Sequence, residues 1–196
     1  MAWSVPNRII TIVLALTGIA YPVVVYFGLS VVSPRVILVI AIAVVMLRAI
    51  MFFSAHKHGP GAIASVVALI LILAGYASDI LALRFYPVIV SATLALIFTL
   101  SLFSAMPLIE RFARIQTPDL DDYGVAYTRI LTKIWIGFFF INGLIAFWTA
   151  LYASIEVWTL YNGLISYVLI AVLFFGEWPV RRILKARHQR HIDDRA

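Results

Sequence analysis

The sequence predicts an all-α fold: a polytopic membrane bundle of six transmembrane helices with both termini on the cytoplasmic side. Three observations lead there. Of 196 residues, 64% are hydrophobic and only 12% charged, about half the charge a soluble domain carries. One aqueous core cannot hide that much apolar surface, so the bilayer becomes the solvent. The apolar residues run on continuously rather than alternating, which argues against a membrane β-barrel. Lysine and arginine gather on one side of the resulting helices, which sets the orientation.

The spans are placed near residues 9–29, 34–53, 61–76, 86–106, 127–152 and 158–180, each long enough, or nearly so, to cross about 30 Å of hydrocarbon. The first follows Arg8 and contains Gly18-Ile19-Ala20, as a signal peptide would. Its apolar run continues through Tyr21-Pro22 to Leu29, too long for a cleaved segment, so it is read as a mature helix. The third is short and runs into Asp79. A cytoplasmic loop occupies 110–126, and a basic tail 181–196 continues the sixth helix. One membrane domain is expected over 1–196, because no stretch is long and polar enough to form a second.

With the N-terminus inside, the cytoplasmic segments hold Arg8, Lys57, Arg111, Arg114, Arg129, Lys133 and the six basic residues from Arg181 to Arg195. The outer side receives Arg35 and Arg84, and Arg48 lies in the inner half of the second helix. The opposite orientation would invert nearly every loop. Tyr21-Pro22-Val23 and Tyr86-Pro87-Val88 look alike, but both fall toward the outer surface. An inverted transporter repeat would put them on opposite sides, so they are read as chance or as two interfacial anchors. Trp3, Trp148, Trp158, Trp178, Tyr152 and Tyr161 complete an aromatic belt.

Candidate chemistry concentrates between Leu108 and Arg182. Glu110 and Arg114 are four apart, on an expected helical extension of the fourth span. With Arg48, Lys133 and Glu177 they form a charged layer at the cytoplasmic boundary, where pairing of Glu177 with Lys133 or Arg48 is expected. The plainer reading is structural ion pairs and snorkelling side chains; the functional one is a site for an anionic head group or an acidic protein. Asn142 and Asn162 lie within the fifth and sixth spans, each followed by a glycine. They suit hydrogen bonding across a close helix contact or the polar floor of a lipid-accessible pocket. Trp135, Phe139 and Asn142 share a face.

Asp119, Asp121 and Asp122 could hold Mg²⁺ on a diphosphate, but that chemistry needs a second carboxylate-rich motif. A solvated loop with Thr117 or Asp119 as N-cap is the expectation. His56, His58, His188 and His191 lie in basic segments without partnering carboxylates. No metal and no cofactor are expected, and the absence of cysteine removes thiolate chemistry. The basic tail, with Arg181 and Arg182, suits anionic lipid at roughly 1 kcal/mol per cation rather than nucleic acid. No nucleophile elbow, zincin pair, Walker loop or Rossmann fingerprint occurs.

Ile109-Glu110-Arg111-Phe112-Ala113-Arg114, Pro118-Asp119-Leu120, Tyr127-Thr128-Arg129, Thr132-Lys133-Ile134-Trp135, Phe138-Phe139, Asn142-Gly143 and Trp158-Thr159-Leu160-Tyr161-Asn162-Gly163 carry a resemblance. In them the chain resembles a family of small proteobacterial inner-membrane proteins. That family accompanies aryl-polyene and related fatty-acid-synthase-like biosynthetic clusters. The resemblance implies a setting rather than a reaction: acyl chains grown on carrier protein at the inner membrane.

In that setting the leading expectation is an accessory protein that recruits acyl carrier protein or synthase subunits, or their product, to the membrane. Arg111, Arg114, Arg129, Lys133, Arg181 and Arg182 would make the contact with an acidic carrier. The alternatives are an intramembrane acyl- or lipid-modifying enzyme and a small lipid or polyene exporter. The enzyme would use Glu110 or Glu177 as acid–base, with Asn142 or Asn162 orienting the substrate. The exporter would need a homodimer to form its cavity.

Overall fold

The computed structural model describes residues 20–177, and all regular structure among them is helical. The tail 181–196 with Arg181 and Arg182, residues 9–19 of the first span, Trp3, Trp178, His188 and His191 lie outside the described residues. Helix α1 covers residues 20–28, followed by α2 (Pro34–Ser54), α3 (His58–Ala77), α4 (Asp79–Leu102), α5 (Leu108–Gln116) and α6 (Asp122–Tyr152). The last, α7, spans Ile155–Glu177. Five of these, α2, α3, α4, α6 and α7, are long and apolar enough to cross a membrane, the mark of a multi-pass membrane protein. Many of their leucines, isoleucines and valines face outward, as the bilayer allows and water would not.

Boundaries depart from the sequence reading for local reasons. Helix α3 is not short: it starts at His58 because Pro60 falls in the first turn, where its missing N–H is not needed. Its 20 residues reach about 30 Å. Helix α4 begins at Asp79 rather than Tyr86. The Ser78 hydroxyl caps it by accepting from Leu81 N at 3.3 Å, and Asp79 suits the positive end of the helix dipole. Arg84 is therefore inside a span, not in an outer loop. Helix α6 begins at Asp122, with Asp121, not Thr117 or Asp119, as its N-cap; Asp121 Oδ1 accepts from Gly124 N at 2.9 Å.

Pro87 sits inside α4 and cannot donate to the carbonyl of Leu83 four residues back. Tyr21 of α1 replaces that donor, its hydroxyl donating to Leu83 O at 3.0 Å. The indole of Trp158 in α7 donates to the next carbonyl, Arg84 O, also at 3.0 Å. Tyr21 and Tyr86 are both buried, with ring centroids 4.3 Å apart, so they are core partners rather than interfacial anchors. Trp158 is fully buried and leaves the expected belt; Trp148 and Tyr152 are exposed as a belt requires.

Helices α4 and α6 make the most extensive contact in the bundle. The buried side of α6 includes Thr128, Leu131, Trp135, Phe139, Asn142, Ala146 and Thr149, the three-to-four spacing of one helical stripe. At the far end Arg84 donates to Thr149 O and Ala153 O. Those carbonyls lie in the last turn and C-cap of α6, at the negative end of its dipole; Thr149 O also accepts from Ala153 N at 3.3 Å. Near that end Arg35 of α2 pairs with Asp79 at 3.4 Å, so α2, α4, α6 and α7 are tied together there.

Candidate functional site

At the opposite end the chain breaks after α4, and the break positions α5. Ser101 Oγ accepts from Leu108 N at 3.2 Å, and Pro107 precedes the first helical residue. The expected extension of α4 is thus a separate short helix lying against α6. Its charges are spent locally. Arg111 donates to Met106 O at 2.9 Å and Ser104 Oγ at 3.2 Å. Arg114 pairs with the buried Glu110 at 2.9 Å and donates to Pro118 O at 3.0 Å.

Beneath α5 lies a groove of about 540 Å³. Phe98, Trp135 and Phe139 form an aromatic cluster there, with ring centroids between 5.3 and 6.3 Å, and α5 contributes Ile109, Phe112 and Ala113. Phe112 and Ile115, which also line the groove, remain exposed. The groove's polar groups are Thr128, Tyr127 and Glu177, and the Tyr127 hydroxyl donates to Glu177 Oε1 at 3.1 Å. Among the described residues Glu177 is not paired with Arg48 or Lys133, contrary to expectation; the Tyr127 hydroxyl is its partner in the groove. Arg129 and Lys133 are exposed, so they lie off the buried stripe of α6.

A second cavity, about 230 Å³, lies deeper between α4, α6 and α7. Arg48, Ser91, Asn142, Asn162, Ser166 and Tyr167 give it a polar lining, and Tyr21, Tyr86 and Phe139 complete much of the wall. Asn142 bridges two helices: it donates to Ser91 Oγ of α4 and accepts from the Tyr161 hydroxyl of α7, each at 3.0 Å. Asn162 donates to Thr149 Oγ1 at 3.1 Å and Trp158 O at 2.8 Å. Each neighbouring glycine permits the approach. A Cβ on Gly143 would meet Ser91 Cβ at 3.3 Å, and one on Gly163 would meet Val23 of α1 at 3.2 Å.

Asn162 lies within a five-residue π-helical turn, Tyr161–Ile165, a distortion often found at functional sites. Its Oδ1 is buried without a partner, as is Arg48 Nε.

The structure therefore distributes the sequence candidates over three places. Glu110, Arg111 and Arg114 organise α5, Glu177 lines the groove, and Arg48, Asn142 and Asn162 share the cavity. The sequence reading missed Tyr127, Thr128, Ser91 and the Tyr21–Tyr86 pair. A lone serine or threonine in an apolar run was the available signal for Ser91 and Thr128. Comparison with protein-family models, curated proteins and solved structures finds no match.

Proposed function

We propose that this chain is a non-enzymatic accessory protein of a bacterial inner (cytoplasmic) membrane, with six spans and both termini inside. In this reading it holds the acyl chain of a lipid-like product, of aryl-polyene or fatty-acid type, in the groove beneath α5. The groove itself carries the proposal. Its volume of about 540 Å³ lies within the range of ligand pockets, roughly 300–1,000 Å³. Its lining is aromatic and aliphatic, and its ionisable groups are one carboxylate and one phenol. An amphiphile with a polar head near Glu177 and Tyr127 and its chain along Phe98 and Trp135 matches that distribution.

Helix α5 suits the water–lipid boundary, with Phe112 and Ile115 exposed on a helix that also bears Glu110, Arg111 and Arg114. The inside placement of this end rests on the bias of lysine and arginine. An acidic carrier protein delivering the chain would meet the exposed Arg129 and Lys133 first, with Arg181 and Arg182 of the tail adding to the field.

Native mass analysis of protein purified gently from its host tests this. A co-purifying acylated molecule is expected, and Ala113→Trp, which fills the groove, should remove it while the protein stays inserted. Retention of the molecule in that variant would sink the reading. Glu177 in the groove lining favours a second reading, an intramembrane lipid-modifying enzyme. Glu177→Gln would then abolish turnover of the bound molecule without changing the amount bound.

A further inference from the structure

Arg48 stands where two cavities meet. It lines the polar cavity and also an apolar cleft of about 70 Å³ between α1 and α2, and Tyr21 and Tyr86 are likewise common to both. Six positions separate it from the end of α2 at Ser54, which puts it about 9 Å inside the helix end. Its Nε is buried without a hydrogen-bond partner, and it forms no ion pair among the described residues. No carboxylate lines either space, and residues 1–19 contain neither Asp nor Glu.

A guanidinium in the membrane interior is costly unless it pairs or faces a polar cavity. Snorkelling to the head-group region relieves such a charge by moving it toward water, whereas here the Nε is enclosed by protein. Arg48 is held instead at a cavity rich in hydroxyls. Tyr86 and Tyr167 line it and make no hydrogen bond among the described residues. Ser91 Oγ accepts from Asn142, which leaves the serine proton to donate. The arrangement has a cation and neutral donors, and it lacks only an anion.

The geometry points to an oxyanion site: Arg48 binds one carboxylate or phosphate group, which Tyr86, Tyr167 and Ser91 complete as neutral donors. Guanidinium suits both anions because its planar N–H groups match two oxygens at once. The adjoining cleft favours the head group of a single-chain amphiphile over a free ion. Its wall includes Val24 and Ile40, both more than half exposed, so a chain attached to the anion leads from Arg48 toward lipid. This site is distinct from the groove beneath α5 and does not rest on its assignment.

The test is calorimetric titration of the full chain in zwitterionic nanodiscs. Dodecanoate, dodecyl phosphate and uncharged dodecanol are compared with sodium acetate and inorganic phosphate. Saturable binding of an anionic amphiphile is expected, weakened at least tenfold by Arg48→Met, while any dodecanol binding, which reports the apolar groove, stays unchanged. Arg48→Lys keeps the charge without the planar fork and should fall between. Equal, Arg48-dependent binding of acetate or inorganic phosphate would support the oxyanion site and identify its occupant as a free ion.

The unfolding midpoint of ligand-free Arg48→Met separates this role from a structural one. Removing an unpaired cation should leave that midpoint unchanged or raise it, as at other sites where stability is given up for binding. A lowered midpoint would make Arg48 a strut of the fold. That result, or anionic binding that ignores residue 48, overturns the proposal.

Discussion

The groove beneath α5 and the cavity beside Arg48 share Phe139 as a wall, yet the charge-bearing side chain is a carboxylate, Glu177, in one and a guanidinium, Arg48, in the other. In the groove the wall is aromatic, and the ionisable groups are Tyr127 and Glu177 alone. The cavity wall is also mainly apolar, but it gathers Arg48, Ser91, Asn142, Asn162, Ser166 and Tyr167, and the adjoining α1–α2 cleft adds aliphatic side chains such as Val24 and Ile40. In the first, as proposed above, a chain would lie along the aromatic wall with its head beside a phenol and a carboxylate. In the second, as proposed above, a charged head would lie inward at Arg48 and its chain would lead toward lipid. The contrast shows how one bundle keeps two unlike linings a single aromatic ring apart: interhelical hydrogen bonds hold one region and aromatic packing the other.

Trp158→Ala should break the hydrogen-bonded region most strongly. It empties a fully buried site and removes the donor to Arg84 O, a loss of about 4–5 kcal/mol. Reversible unfolding in mixed micelles would measure it, and a loss below about 2 kcal/mol would mean that this end is not the scaffold described. Phe139→Ala comes next, at about 3 kcal/mol, since a ring lining two cavities has fewer atoms against it. It should also join the spaces, so that competition between dodecanoate and dodecanol, absent in the parent, appears in titration.

Asn142→Leu removes the bonds to Ser91 and Tyr161 and should cost about 1 kcal/mol, the scale of interhelical bonds in membranes. The same unfolding measurement reads it, and a double mutant with Ser91→Ala should lose little more than the single. Tyr127→Phe is the mildest, about 0.5–1 kcal/mol, because its bond to Glu177 lies at a partly exposed site. Weaker retention of the acylated molecule, with the fold intact, is its expected signature in native mass spectra.

Helices α2 and α7 were legible because unbroken apolar runs need no partner to be recognised. The Asn-Gly pairs were legible too, since an amide beside a glycine in such a run has few roles. The start of α4 was not. Arg84 read locally as an outer-loop charge, and within the span it and Pro87 are accommodated through Thr149, Ala153, Tyr21 and Trp158. Those partners lie more than sixty residues away in sequence. Helix α5 was misjudged by the opposite fault: its i,i+4 pair announced a helix, and joining it to α4 passed over the break signal of Pro107 itself. The cavities depend on where helices cross, which no single segment encodes.

The hydroxyl that Tyr21 lends to the Leu83 carbonyl also orders events in time. Helix α1 is synthesised first and α4 well after it, yet α4 enters the bilayer with a carbonyl that its own sequence cannot satisfy. Until the two helices meet, that oxygen faces hydrocarbon or a passing water. Docking of α1 on α4 therefore completes the backbone hydrogen bonding of the proline-bearing helix.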